Sequence, residues 1–147
     1  EPRLRGMARM QMAAHYCVLS VYHFQSTLRS IRHCLGQCPA LEKFVDVKVL
    51  VAAIARFDND FPDFKMVRDA VGHYADRLYK PANIAARHHA DGEAFTHGTL
   101  MGRKLTFTDD GRYISLEVSG ESLEKLALIQ FDCFEAFQKA CGPRPKG

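Results

Sequence analysis

The chain has 147 residues, of which 47% are hydrophobic and 25% charged, and its formal net charge is +3. This length suffices for one domain with a buried core, and a charge this small does not demand a nucleic-acid or membrane partner. The chain has no run of about eighteen or more apolar residues and no signal-peptide pattern at its start, so we expect no membrane partner.

Charge and cysteine usage limit the partners and the compartment. Residues 1–36 carry five Arg and one Glu, so the basic excess lies on the first predicted helix and permits a phosphate-bearing partner. The five cysteines are an odd number without the compact spacing of a disulfide framework, which favours a reduced, cytoplasmic protein. Because the sequence starts with Glu1, we expect it to be a fragment or a processed chain.

Residues 4–35 form the clearest predicted element, a long helix. Apolar residues recur there at alternating spacings of three and four, which is typical of a helix with one continuous apolar seam about 45 Å long. Gly36 and Pro39 follow the seam and predict the end of the helix. A seam of this length requires an antiparallel helix, a second chain or both to cover it. Its members are Met7, Met10, Ala14, Cys17, Val21, Phe24, Leu28, Ile31 and Leu35.

Two shorter helices are predicted next, over residues 45–57 and 62–78. The first is apolar nearly all round, which indicates a buried helix. The second begins at Pro62, a residue that suits the first helical position, and it must end before Pro81. Residues 79–96 show no hydrophobic period and are predicted to form a loop.

The hydrophobic period changes in the last third of the chain. Between residues 99 and 118 apolar and polar residues alternate on both sides of Asp110 and Gly111, which predicts a β-hairpin. Residues 120–140 predict a closing helix. The fold class is therefore mainly α: one domain over residues 1–147, an up-and-down bundle of four to five helices with one hairpin inserted before the last helix.

The candidate reactive pair lies in the helix predicted over residues 62–78. Arg68 and His73 are separated by four residues, so their side chains are about 140° apart on a straight helix. Both can act on one substrate only if Arg68 reaches round the helix or a second copy of the chain completes the site. Gly72 removes a side chain beside His73 and allows a backbone or a phosphate to approach closely.

A structural interpretation of the same residues stays open. Asp69, His73 and Arg77 are spaced four apart and would form a solvent-exposed charge stripe, with Arg68 beside the apolar face. The histidines within residues 88–97 match no closed zinc spacing, and the chain has no glycine-rich phosphate loop. The sequence therefore predicts neither a metal site nor a cofactor.

The run Arg68-Asp-Ala-Val-Gly-His73, followed by Tyr74, Asp76 and Arg77, resembles the signature of the HEPN superfamily, a group of small helical domains. The resemblance covers the order of helices from about residue 4 to 78, and the hairpin is not part of it. Members commonly carry Asn after the Arg, where this chain has Asp69.

The resemblance implies two alternative functions. In a metal-independent endoribonuclease, His73 would exchange a proton with the ribose 2′-hydroxyl or the leaving oxygen, and Arg68 would hold the scissile phosphate. Such sites resemble clefts between two protomers, so a homodimer is expected, with RNA contacts from Asp69, Gly72 and Arg77. Other members are not catalytic and serve as interaction or regulatory modules, with a protein in place of RNA as the partner.

Overall fold

The computed structural model describes residues 2–72, 97–109 and 112–141, and 72% of it is helical. This confirms a mainly helical protein with a small antiparallel sheet before the closing helix, whereas the up-and-down bundle stays a prediction. The helices of the described part are α1 Pro2–Leu35, α2 Pro39–Glu42, α3 Val47–Asp60, α4 Phe64–Gly72, α5 Gly120–Ala136 and α6 Gln138–Cys141. Its strands are β1 His97–Met101, β2 Lys104–Asp109 and β3 Arg112–Glu117.

Two compact units are distinguished by their contacts. One comprises Glu1–Tyr22 and Phe61–Ser119, and the other comprises His23–Asp60 and Gly120–Gly147. Helix α1 contributes its first part to one unit and its second part to the other. The expectation of a single domain over the whole chain stays a prediction.

The apolar seam of α1 is confirmed over most of its length but not at its start. Met7 and Met10 are exposed, contrary to the prediction. The contacts of α1 with strand β1 involve Gln11 and His15, so this strand covers the helix only from that turn onward. Buried members of the seam, spaced seven apart, are Ala14, Val21, Leu28 and Leu35.

The sheet of the first unit has three antiparallel strands in the order β1-β2-β3, so the prediction of a two-stranded hairpin was incomplete. Asp109 pairs with Arg112, which confirms the hairpin between β2 and β3. The run before it forms two strands because the chain reverses between Met101 and Lys104. Gly102 in that turn has φ +62°, a left-handed conformation that glycine adopts without strain. The predicted alternation is confirmed on β3, where Ile114 and Leu116 are buried, but on β2 Thr106 and Thr108 are buried together with Leu105 and Phe107.

Helix α4 contacts strands β2 and β3 in the same unit. It begins at Phe64, two residues later than predicted, and its described part ends at Gly72. Phe64, Val67 and Ala70 are buried, so one face of α4 packs into the unit. The remainder of the helix predicted over residues 62–78 lies outside the described residues.

Helices α3 and α5 pack against each other in the second unit. The carboxylate of Asp46 caps α3 by accepting hydrogen bonds from the backbone N–H groups of Lys48, at 3.1 Å, and Val49, at 3.2 Å. Leu50, Ala53 and Phe57 of α3 are buried. Val51 is exposed, so the expectation of a helix buried nearly all round was wrong.

The closing helix is interrupted, contrary to the prediction of one helix over residues 120–140. The carbonyl of Ala136, which a continuous helix would use as an acceptor for Ala140, accepts the N–H of Asp46 at 2.8 Å. Ala140 donates instead to Phe137, at 2.9 Å. Helix α5 therefore ends at Ala136, and the short α6 follows.

Candidate functional site

Arg68 lies on α4 and is held by its neighbour in sequence. Its Nε–H donates to Oδ1 of Asp69 at 2.9 Å, and its Nη2 donates to the same oxygen. The Arg68 side chain is 30% exposed and that of Asp69 is 37% exposed. The two opposite charges therefore form a half-buried ion pair at the start of the candidate motif.

A second contact fixes the guanidinium group of Arg68 from α1. Its central carbon lies 5.0 Å from the centroid of the Tyr22 ring, within the range of a cation–π interaction. Both Tyr22 and Arg68 belong to the first unit. Arg68 is thus positioned by a carboxylate and an aromatic ring before any ligand binds.

The Arg68–Asp69 ion pair decides what Arg68 can do chemically. A guanidinium group binds phosphate best through two parallel N–H donors, and one such pair, Nε and Nη2, is occupied by Asp69. A phosphate on that edge must displace the carboxylate, and the pair as a whole carries no net charge. The Nη1 side of the guanidinium group remains the edge on which Arg68 can meet an anion.

The structure describes the surroundings of Asp69 and Gly72 within the chain, and their predicted contacts with RNA stay predictions. The structural interpretation places Asp69 in a charge stripe with His73 and Arg77. In the structure Asp69 forms an ion pair with Arg68. Gly72 is exposed, and a Cβ built there would meet no atom within 4 Å. Among the residues that the structure describes, no close contact therefore requires glycine at this position.

The other predicted site residues, His73 and Arg77, lie outside the described residues, as do His88 and His89. The structure therefore brings Arg68 and Asp69 together and leaves the Arg68–His73 pair as a prediction. Tyr22 was missed by the sequence analysis. Its only signal is its position beside Val21 of the seam, which does not identify a partner so distant in sequence.

A second polar group in the first unit joins α1 to β1. Gln11 Oε1 accepts the N–H of Leu100 at 3.0 Å, and its Nε2 lies 3.1 Å from Nε2 of His15. The His15 ring is 6.1 Å from that of Phe107, and its Nε2 lies 3.4 Å from the carbonyl oxygen of Gly98. Gln11 and His15 thus serve to dock the strand on the helix.

Burial makes two of the thiols in the described part of the chain less reactive. Cys17, Cys34, Cys38 and Cys133 are free, and of these Cys34 and Cys38 are exposed. Burial raises the pKa of Cys17 and the pKa of Cys133 above the ordinary value. Because the thiolate is the reactive form, burial makes both of these thiols less reactive near neutral pH.

The outer face of α5 carries a row of exposed apolar side chains, which we call the α5 stripe. Its members, spaced four, four and three apart, are Leu123, Ala127, Phe131 and Phe134. Leu123 is 68% exposed, Phe131 50% and Phe134 58%. Ile129 and Ala136 on the opposite face are buried. Helix α5 is therefore apolar on two faces, of which only one belongs to the core.

Carboxylates follow one edge of the α5 stripe. On a helix of 3.6 residues per turn, Glu124 and Glu135 project about 65–85° from the centre of the stripe, with Glu121 further round on the same side. Gln130 lies at the opposite edge. It lines a shallow hollow of about 400 Å³ together with Ala127, Phe131 and Phe134. The stripe is therefore bordered by negative charge on one side and by an amide on the other.

Among the residues that the structure describes, no helix is both long enough and apolar enough to cross a lipid bilayer. Comparisons of the chain with protein-family models, with curated proteins and with solved structures gave no significant match.

Proposed function

We propose that this chain is a HEPN-like helical module that binds another protein and does not catalyse a reaction. The observation that carries the proposal is the α5 stripe. With Leu128 it exposes roughly 400–500 Å² of apolar surface, the size of the largest apolar patch on a typical monomeric protein, and such patches are often functional. Leu123, Phe131 and Phe134 are each at least half exposed and are spaced as one helix presents a row of anchors to a partner.

The Arg68–Asp69 pair supports the same function from the other unit. Endoribonuclease chemistry requires an arginine whose charge meets the phosphate of the substrate. Here Asp69 occupies two of the donors of Arg68 and cancels its charge. An ion pair of this kind stabilises α4 locally and leaves less positive potential for RNA.

The experiment uses three synthetic helical peptides that share one Leu/Phe stripe and carry a basic, a neutral or an acidic edge. Their binding to the purified protein is followed by fluorescence anisotropy. We expect at least one peptide to bind wild type and to bind Phe134→Ser at least about tenfold more weakly, since aromatic anchors dominate such interfaces. Failure of all three peptides to bind, or equal binding by wild type and this variant, would reject the interaction module.

Phe44→Ser is the matched control. Phe44 is 47% exposed, close to the exposure of Phe134, and lies in the same unit outside α5. It also removes one exposed phenyl ring, so a general loss of surface hydrophobicity should affect both variants equally. We expect Phe44→Ser to bind the peptides as wild type does.

A second candidate is a metal-independent endoribonuclease that uses Arg68 and His73 at a homodimer cleft. The observation that favours it is the fixed position of Arg68, whose guanidinium group lies over the Tyr22 ring and whose Nη1 makes no hydrogen bond to any residue that the structure describes. A preorganised cation of this kind is what a phosphate site requires. Binding of RNA at Nη1 would leave the Asp69 contact intact.

Cleavage of single-stranded RNA without divalent metal distinguishes the two functions. An active enzyme would leave cyclic or 3′ phosphates, and His73→Ala or Arg68→Ala would lower the rate by about a hundred- to ten-thousandfold. His88→Ala should have no effect, and sedimentation should show a dimer at micromolar concentration. If wild type and His73→Ala behave alike on several RNAs, the endoribonuclease is rejected and the interaction module stands.

A further inference from the structure

We infer that the α5 stripe binds an amphipathic helix with a Lys/Arg-rich edge, supplied by a different protein. This inference rests on the proposed interaction function and specifies its partner. The stripe extends from Leu123 to Phe134, about 16 Å along the helix axis at 1.5 Å per residue. Its spacing of four, four and three residues matches the ridges that a second helix uses when it packs alongside.

Charge selects the kind of helix that fits. Glu124 and Glu135 border one edge of the stripe, and Lys125 of α5 projects on the far side of the helix, away from that edge. A partner helix lying on the stripe would therefore place its own flanking residues beside two carboxylates. Lys or Arg at those positions gains attraction, whereas Asp or Glu is repelled.

A second copy of the chain fits this surface poorly. In an antiparallel two-fold pair each edge of α5 meets the same edge of the other copy, so Glu124 of one copy would lie near Glu135 of the other. In a parallel pair the acidic edge meets the edge of Gln130, which offers no positive charge. The α5 stripe together with Leu128 also exposes only roughly 400–500 Å² of apolar surface, well below the roughly 1,000 Å² or more per partner that an obligate homodimer buries.

A membrane surface fits it poorly as well. Helices that lie in the lipid interface carry Lys and Arg on their polar face, because the cytoplasmic leaflet is negatively charged. The α5 stripe is bordered instead by Glu124 and Glu135, which an anionic surface repels. A basic helix from a protein partner satisfies both the apolar stripe and its acidic edge.

The basic-edged and acidic-edged peptides described above test the inference. We expect the basic-edged peptide to bind wild type at least about tenfold more tightly, with the difference shrinking in about 0.5 M salt as the charges are screened. Glu124→Lys should reduce the difference between the two peptides. Glu42→Lys is the matched control, because it changes the net charge equally at a partly exposed position of α2 and should leave the difference intact.

The outcomes separate the inference from the function on which it rests. If the acidic-edged peptide binds as tightly as the basic-edged one, the inference fails while the interaction module survives. If sedimentation shows a wild-type dimer that Phe134→Ser dissociates, the occupant is a second copy and the inference fails. Binding to phosphatidylserine vesicles that Phe134→Ser abolishes would also overturn it. If none of the three peptides binds, the interaction module itself is rejected.

Discussion

The polar residues of the first unit and the α5 stripe of the second differ in where their partners lie. Arg68 pairs with Asp69 and lies over Tyr22, and Gln11 contacts both β1 and His15. These groups are satisfied largely within the chain. The apolar residues of the α5 stripe remain half exposed or more, apart from the small Ala127. The polar residues that suggest chemistry therefore interact mainly with other residues of the chain, whereas the apolar residues of the stripe are exposed to solvent.

The two faces of α5 give the largest expected contrast. Ile129 is fully buried, and Ile129→Ala should lower the free energy of unfolding by about 2–5 kcal/mol through lost burial and the cavity left behind. Phe134→Ala on the outer face should change it by no more than about 0.5 kcal/mol. Urea denaturation of the two variants measures both values. A large loss for Phe134→Ala would mean that the stripe belongs to the core.

The junction of β1 with α1 gives the next largest effect. Gly98 has φ +70°, and a Cβ there would lie 2.8 Å from Nε2 of His15 and 2.9 Å from Cε1 of Phe107. Gly98→Ala should therefore lower the free energy of unfolding by about 2–3 kcal/mol, from backbone strain and displacement of both rings. Thermal or urea unfolding gives the value.

Gly102→Ala is the control for that strain. Gly102 has φ +62°, but a Cβ there would meet nothing within 4 Å, so only the backbone term of about 1 kcal/mol applies. If both glycine variants lower the free energy of unfolding equally, the His15 and Phe107 side chains can move aside at no energetic cost. The junction of β1 with α1 would then be packed more loosely than its contacts indicate.

The fold could be predicted from sequence where one periodic signal extended over many residues. The seam of α1 and the alternation of β3 are of this kind, and both are confirmed in the main. The split at Gly102 depended on a two-residue turn, and the end of α5 depended on a hydrogen bond between Ala136 and Asp46. Neither leaves a periodic trace, because each is set by the conformation of one or two residues.

The candidate site was harder to predict than the fold. The motif identified Arg68, but spacing along a helix gives no information on Tyr22, which approaches from α1. The α5 stripe was also missed, since apolar residues on a predicted helix are first assigned to its core face. Two apolar faces on α5 could have been found by testing whether Leu123, Ala127, Phe131 and Phe134 share a face with Ile129, which they do not.

Breaking the ion pair between Arg68 and Asp69 tests whether the polar residues of the first unit are satisfied within the chain. Asp69→Asn removes the negative charge, so single-stranded RNA should bind about three- to tenfold more tightly at low salt, as Arg68 gains a net charge toward phosphate. Stability should change by no more than about 1 kcal/mol, because both side chains are about a third exposed. Filter binding measures the affinity, and the gain should disappear in Asp69→Asn/Arg68→Ala.

Asp58→Asn is the matched control for that experiment. Asp58 pairs with Arg29 at 2.8 Å on the surface of the second unit, so its replacement changes the net charge equally. A similar gain in RNA affinity from both variants would reflect overall charge and would remove any special role of Arg68.

The smallest expected effect is a difference in alkylation rate among the cysteines, which can be measured on the wild-type protein. Burial raises the pKa of Cys17 and the pKa of Cys133, so each holds less thiolate near pH 7 than an ordinary thiol, whereas Cys34 and Cys38 are exposed to a reagent. Iodoacetamide at pH 7 should therefore label Cys34 and Cys38 first, as mass spectrometry of the digested protein would show. Raising the pH toward 9 forms more of the reactive thiolate, and labelling of the buried pair should lag behind that of the exposed pair throughout. Equal rates at all four positions would indicate that the reagent reaches Cys17 in the first unit and Cys133 in the second as easily as the exposed thiols, so that both units open more readily than this burial indicates.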